Sequence, residues 1–445
     1  MRKFLICILA VITAFNVPLF ASAEETGYSP DFDVSAQAVF MYNLDTESVI
    51  MNKNADDLMY PASLTKIMTC VLAMEKIQNL ETEIITYPGY VQDYLYNYQY
   101  VLGNGEVSKG GLMAGEQLAM KDALYALMLP SANEVAMIIA DHIGGSQQGF
   151  VQMMNARAKE LGLQNTNFVN PNGLFDPAHV TTARDMYVLS RHAMTIPGFM
   201  DIVSTISYRC PPTNKHDSIY WETTNQLMVP ESSYYAPSVK GIKTGSLPDA
   251  GRCLVSTATK DGFTYLLVVL GSEYTSESGA QMAFVDTKNL YQWAFDTFRV
   301  KNLVDKGKYV AEVTLNLNMD RDHVTLMTAD RVTALLPNDI DNSSVVLVPN
   351  IPQSVDAPVK KSDKAGEASI MLFGEEVGKV DLLFAESIEA SPILVTIEKI
   401  KAVTRTFWFK FTVIMIVFLI IFYIVLMLIR NRNLRRRGYR PRRRL

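Results

Sequence analysis

The chain has 445 residues, enough for two or more domains, and its 49% hydrophobic and 20% charged content excludes a disordered or fibrous protein. The formal charge is −5; setting aside Arg2, Lys3 and nine arginines of the C-terminal tail leaves −16 for residues 4–429, which argues against a nucleic-acid surface. Of four cysteines, Cys7 lies near the start, and Cys70, Cys210 and Cys253 are too few for a disulfide framework, so buried or free thiols are expected.

Arg2 and Lys3, the apolar run Phe4 to Phe20 and the small residues Ala21-Ser22-Ala23 predict a signal peptide over residues 1–23, cleaved after Ala23; an uncleaved anchor helix is the alternative. Residues 24–34 read as a short arm. Ala36 to Tyr42 and Val49 to Met51 read as a hairpin around Asn43-Leu44-Asp45. Leu64, Ile67, Met68, Val71 and Leu72 carry helical spacing and predict a helix over 64–77, with further helices over 119–143 and 147–161. Residues 87–100 hold six tyrosines. They are either an exposed loop with ordinary packing or a lip that stacks on sugar or peptide. Gly251 to Ala258 and Thr264 to Leu270 flank Lys260-Asp261-Gly262 as a second hairpin, and 281–299 closes the domain as a helix. Strands at both ends with helices between predict an α+β domain over 24–300, one antiparallel sheet packed by helices.

From 301 to 395 the pattern changes. Val313, Leu315 and Leu317 alternate with polar residues, and similar alternation at 324–327, 345–348, 368–373 and 377–384, with a turn at Gly374-Glu375-Glu376, predicts a small all-β sandwich. Residues 396–406 read as a linker. Residues 407–429 read as a transmembrane helix, because Phe411 to Ile429 holds no charge and spans about 28 Å, near the thickness of a bilayer core. Trp408 is placed as an interfacial anchor and Lys410 can snorkel. The basic tail 430–445 predicts a cytoplasmic end near anionic lipid and everything between the two membrane signals outside the membrane. No internal repeats occur.

Three short elements carry candidate chemistry. Ser63 and Lys66 sit three apart at a helix start and share one face, so a neutral lysine could activate the serine. Neutrality requires burial and a nearby second cation, and the helix start supplies N–H groups toward developing charge. Ser131-Ala132-Asn133 follows an apolar helix; it is either a loop aimed at a cleft or a helix cap. Lys243-Thr244-Gly245-Ser246 reads as an edge strand whose glycines admit a substrate backbone, with Lys243 and Thr244 able to hold a carboxylate. Each element alone has a bland reading: a surface lysine, a cap, a solvated strand end. His142, His179, His192, His216 and His323 show no metal-ligand spacing and read as surface or structural; no cofactor motif is present.

Together, S-x-x-K, S-x-N and K-T-G in this order form the signature set of penicillin-recognising serine enzymes. The chain resembles the low-molecular-mass penicillin-binding proteins, the D-alanyl-D-alanine carboxypeptidases of serine peptidase family S11. Residues 150–163, Thr166 to Leu174, Thr182 to Met186 and the stretch around Ala357 to Lys361 extend the likeness over about residues 34–395. The resemblance implies the penicillin-binding/beta-lactamase-like transpeptidase fold and removal of the terminal D-alanine from peptidoglycan stem peptides. It implies that Ser63 forms the acyl-enzyme, Lys66 takes its proton and Ser131 relays one to the leaving D-alanine beside Lys243. Asn133 would hold the substrate peptide and Thr244 with Lys243 its carboxylate. The N–H groups of Ser63 and Ser246 would form the oxyanion hole, and beta-lactams would acylate Ser63. No cofactor or metal is implied. Asn172, Ser246 and Arg252 depart from residues common in the family, which bears on substrate preference. Rival readings are a D,D-endopeptidase, a beta-lactamase of the same fold and a non-catalytic wall-binding sensor.

Overall fold

A computed structural model describes residues 28–101, 107–275, 279, 281–340 and 344–437; the signal-peptide reading falls outside them. The chain divides into two compact units between Phe298 and Arg299.

The first unit is built on a five-stranded antiparallel sheet. In spatial order its strands are Ser48–Lys53, Ala38–Asn43, Phe263–Ser272, Gly251–Lys260 and Val239–Leu247. The first hairpin turns where Asn43 Oδ1 accepts from the N–H groups of Asp45 and Thr46, an Asx-type turn that explains the choice of residues there. Phe263–Ser272 is central and covered on both faces, so its apolar run is continuous rather than alternating. Leu266, Val268 and Leu270 join the main helical core. Tyr265, on the other face, meets Phe295 of the helix Met282–Thr297 edge to face at 5.1 Å.

The helix Lys66–Lys76 runs through that core. Lys66 to Ala73 are all buried, so the helix is enclosed on every side and not merely along the stripe its spacing suggested. It is preceded by a 3₁₀ turn, Ala62–Thr65. The single helix expected over 119–143 is two, Met120–Met128 and Asn133–Gly144. Pro130 lacks an N–H for the helical ladder and Ser131 takes a left-handed backbone, φ 64°. The tyrosine segment is not a loop: Gly89–Tyr96 is helical and Asn97–Val101 adds a wide π turn, with Val91, Leu95 and Tyr98 buried. Cys70, Cys210 and Cys253 are buried free thiols.

The second unit holds a six-stranded sheet and a two-stranded ribbon, Phe298–Val304 with Val332–Pro337. Leu303, Val304 and Leu336 of the ribbon share one core with the large sheet, so the sandwich is lopsided. One pair, Tyr309–Asn316 with Ser354–Asp356, is parallel. The tight turn lies at Phe373 and Gly374, both at positive φ, one residue earlier than the sequence pattern placed it. The segment read as a linker is helical, Pro392–Arg405, with Ile393, Ile397, Ile400 and Val403 exposed. Phe407–Arg437 is one helix, the one element among the described residues long and apolar enough to cross a membrane.

Candidate active site

The three motifs meet in one cleft of about 160 Å³, whose walls include Ser63, Ser131, Thr244, Gly245, Ser246 and Arg252. Ser63 stands in the 3₁₀ turn, where Ala62 is held at φ 47°. The strand Val239–Leu247 is an edge of the sheet, which leaves one side of its backbone unpaired beside that turn. The approach is close: a Cβ on Gly245 would lie 3.1 Å from the Pro61 carbonyl oxygen and 3.2 Å from Ala62 Cβ.

Lys66 is fully buried, with Nζ 2.8 Å from Ser63 Oγ, 2.9 Å from Asn133 Oδ1 and 2.6 Å from the Asn172 carbonyl oxygen. Burial, and then the nearby Lys243, hold its amine well below the usual lysine range; Glu134 works weakly the other way. A neutral amine has two hydrogens and one lone pair. The two carbonyl oxygens take the hydrogens, and the lone pair is left for the Ser63 hydroxyl, the arrangement a general base needs. Lys243 is also buried and lowered by burial to about 7; its Nζ donates to the Thr244 carbonyl at 3.1 Å.

Ser131 Oγ is buried in the cleft wall with no partner among the described residues. It is not a helix cap: the capping position is Ala132, and no side chain caps that helix. Asn133 opens the helix. Its Oδ1 faces Lys66 and its Nδ2 donates to the Ser108 carbonyl at 3.0 Å, so its amide ties the lysine to a cleft loop and keeps one N–H hydrogen free among the described residues. Thr244 Oγ1 lies 2.6 Å from Thr224 Oγ1, and Ser246 Oγ donates to Tyr274 OH at 2.7 Å.

Four contributors were not singled out as site residues from sequence. Arg252 lines the cleft, stacks its guanidinium 4.4 Å over the Tyr274 ring and has a buried Nε without a partner among the described residues. His179 accepts from Val169 N–H through Nδ1, so Nε2 carries the hydrogen donated to Thr65 Oγ1 at 2.8 Å, and Thr65 in turn donates to the Ala62 carbonyl. Burial lowers this histidine to about 4 and keeps it neutral. It is a structural residue, as read, but one that braces the nucleophile turn. Gly173, at φ +83°, lets the Asn170–Gly173 loop lie against Ala62. Glu134 Oε1 accepts from Gly110 N–H at 2.5 Å, and Trp221 donates to the Gly110 carbonyl, which fixes the loop carrying Ser108.

A family model described as D-alanyl-D-alanine carboxypeptidase, peptidase S11, matches residues 23–274, more than half of the chain. The chain belongs to this family. A model for the C-terminal domain of penicillin-binding protein 5 matches residues 298–390. The D-alanyl-D-alanine carboxypeptidase DacF of Bacillus subtilis is 27% identical over 413 residues, covering 92% of this chain and all of that one. The D-alanyl-D-alanine carboxypeptidase of Streptomyces sp. strain K15 is 33% identical over 280 residues, covering 59% of this chain and 91% of that one. Among solved structures, penicillin-binding protein 5 from Haemophilus influenzae superposes with a TM-score of 0.59 at 25% identity, covering 82% of this chain and all of that one. The S11 protein described here is accordingly a serine-type D-Ala-D-Ala carboxypeptidase with the penicillin-binding fold, and its substrate is the peptidoglycan stem peptide.

Proposed function

We propose that Ser63 attacks the carbonyl of the penultimate D-alanine while Lys66 takes its proton. The N–H groups of Ser63 and Ser246 hold the developing oxyanion. As the peptide C–N bond breaks, Ser131, with Lys243 beside it, relays the proton taken up by Lys66 to the departing D-alanine nitrogen. Water then attacks the acyl-enzyme ester, releasing the shortened peptide and restoring the Ser63 hydroxyl. Thr244, Lys243, Gly245 and Arg252 form the end of the cleft that takes the terminal carboxylate. Lys243, lowered to about 7, is only partly charged at neutral pH, so Arg252 supplies the lasting positive charge. Beta-lactams enter as mimics of the terminal dipeptide and acylate Ser63.

The observation that carries this reading is the 2.8 Å approach of Lys66 Nζ to Ser63 Oγ with both amine hydrogens committed elsewhere. Loss of one alanine from purified pentapeptide wall fragments tests it, together with mass spectrometry of the penicillin adduct. An adduct on any residue other than Ser63, or no alanine released, overturns it. Rapid steady-state turnover of nitrocefin would move the protein to the beta-lactamases.

The proposal extends to placement. Residues 1–23 act as a cleaved signal, 24–300 as the catalytic domain and 301–395 as the β-domain, both outside the cell membrane. Residues 407–429 cross once and the basic tail stays cytoplasmic. The uncharged helix face and the arginines after it support this topology.

A further inference from the structure

A second recess lies behind the base, on the far side of the loop that holds it. It is a trough of about 330 Å³ between the tyrosine helix Gly89–Tyr96, the start of the helix Gln147–Glu160 and the loop ending at Asn172. Tyr90 and Tyr94, one helical turn apart, share a face and form one wall. They are 45% and 43% exposed, so their rings are open to a ligand. Met137, Val151, Val169 and Pro171 supply apolar surface opposite. Tyr90 is fixed in place: its hydroxyl donates to Asp141 Oδ1 at 3.0 Å and accepts from Gln147 Nε2 at 3.2 Å.

Three features define the occupant. None of the described residues lining the trough is charged, in a chain that is otherwise acidic. An anion would lose its hydration there and meet no cation, and the Asp141 carboxylate at the rim is already engaged by the Tyr90 hydroxyl, so a neutral ligand fits the trough. Two polar side-chain atoms of lining residues, the acceptor Gln147 Oε1 and the donor Asn172 Nδ2, are buried without a partner among the described residues, and a small side-chain shift would bring them to a ligand. An acetamido group brings one N–H and one C=O, the complementary pair, and a methyl for the apolar wall. Flat tyrosine faces suit the C–H face of a pyranose ring. The trough also adjoins the catalytic helix through the backbone of its loop. Its floor carbonyls are the acceptors of the catalytic helix: Pro171 O accepts from Thr69 Oγ1 at 2.6 Å and Asn172 O from Lys66 Nζ at 2.6 Å.

We propose that this trough is an accessory subsite for an N-acetylated sugar of the glycan that carries the stem peptide. The proposal rests on peptidoglycan being the substrate. It makes the enzyme a reader of glycan-attached peptide, with a sugar ordering the loop that holds the base.

The test uses the full chain, N,N′-diacetylchitobiose as the binding probe, and two substrates, a free pentapeptide and the same pentapeptide on its disaccharide. The expected result is saturation transfer to chitobiose from the wild type, lost in Tyr94→Ala and in Val169→Lys. The kcat/KM of the wild type is expected to be about tenfold higher for the disaccharide-linked substrate, and both variants to lose that preference while keeping free-pentapeptide turnover and penicillin acylation. Equal kcat/KM for the two substrates in the wild type, a preference that survives Tyr94→Ala, or chitobiose signals unchanged in both variants would overturn the subsite. Failure of the carboxypeptidase reading has a different signature, no D-alanine from either substrate, and a chitobiose signal lost in Tyr94→Ala then still supports the subsite.

Discussion

The Lys66 amine is 2.6 Å from the backbone carbonyl of Asn172, a residue 106 positions later in the chain. In the proposed mechanism that contact ties the loop Asn170–Gly173 to the base. A backbone carbonyl cannot be changed by substitution, so the position of the base depends on how the loop is packed.

Lys66→Met removes the base and its hydrogen bonds together. Penicillin acylation of Ser63 should fall about 10²- to 10⁴-fold, the usual contribution of a positioned base. Thermal stability should not fall with it, because an amine is expensive to bury and methionine fills the same space. Acylation within a few-fold of wild type, measured by stopped-flow with a fluorescent penicillin, would assign the base elsewhere.

Lys243→Met tests the electrostatic coupling. Lys243 is the second cause, after burial, of the lowered Lys66 amine. Without it Lys66 holds its proton to higher pH, so the inflection of acylation rate against pH should move alkaline and the rate at pH 7 should drop. An unmoved or acid-shifted inflection would contradict this. The stability sign follows from the same burial. Folded Lys243 titrates at about 7 against 10.5 for a free lysine. Between those values the unfolded chain binds the extra proton, so wild-type stability rises with pH there. The Tm advantage of the methionine variant should therefore shrink from pH 7 to pH 10.

Much of this site was legible in the sequence because its chemistry is carried by residue types at short spacing: Ser63 with Lys66, Ser131 with Asn133, Lys243 with Thr244. The sheet was legible for the same reason, since strands in a half-buried or enclosed position keep their apolar pattern. What the sequence withheld depends on contacts between distant segments. His179 looked like any histidine until its ring was seen bridging Val169 and Thr65. The bonds that tie the Asn133 amide to Lys66 and to the Ser108 carbonyl are likewise facts of packing. The break after Met128 turned on the left-handed backbone of Ser131, which Pro130 hints at but does not dictate. The tyrosine-rich helix was obscured by a composition that suits a loop equally well.

Gly173→Ala measures how tightly the loop and the nucleophile turn are joined. A Cβ there would sit 1.9 Å from the Ala62 carbonyl oxygen, at φ +83°. Left-handed backbone alone costs about 1–2 kcal/mol for alanine, and the clash adds to it. A loss of at least ~3 kcal/mol, roughly 6 °C or more in Tm, is expected together with slower acylation. Gly162→Ala is the control, also at φ +81° but with open space around it, and should show the backbone cost alone. Equal losses in the two variants would mean that the loop can yield without cost.

Arg252→Gln separates charge recognition from catalysis. The guanidinium lies over Tyr274, whose hydroxyl accepts from Ser246, so the arginine is held at the K-T-G end of the cleft. If it meets the terminal carboxylate, the substitution should lower kcat/KM for the pentapeptide about 30-fold or more, because a buried ionised partner loses its counter-charge. A pentapeptide ending in a C-terminal amide has no such charge to lose and should respond less than about threefold to the same change, since a neutral hydrogen-bond partner remains. Raised KM with kcat nearly intact marks recognition, whereas equal loss for both peptides would show that Arg252 supports the cleft wall and leaves carboxylate binding to Lys243 and Thr244.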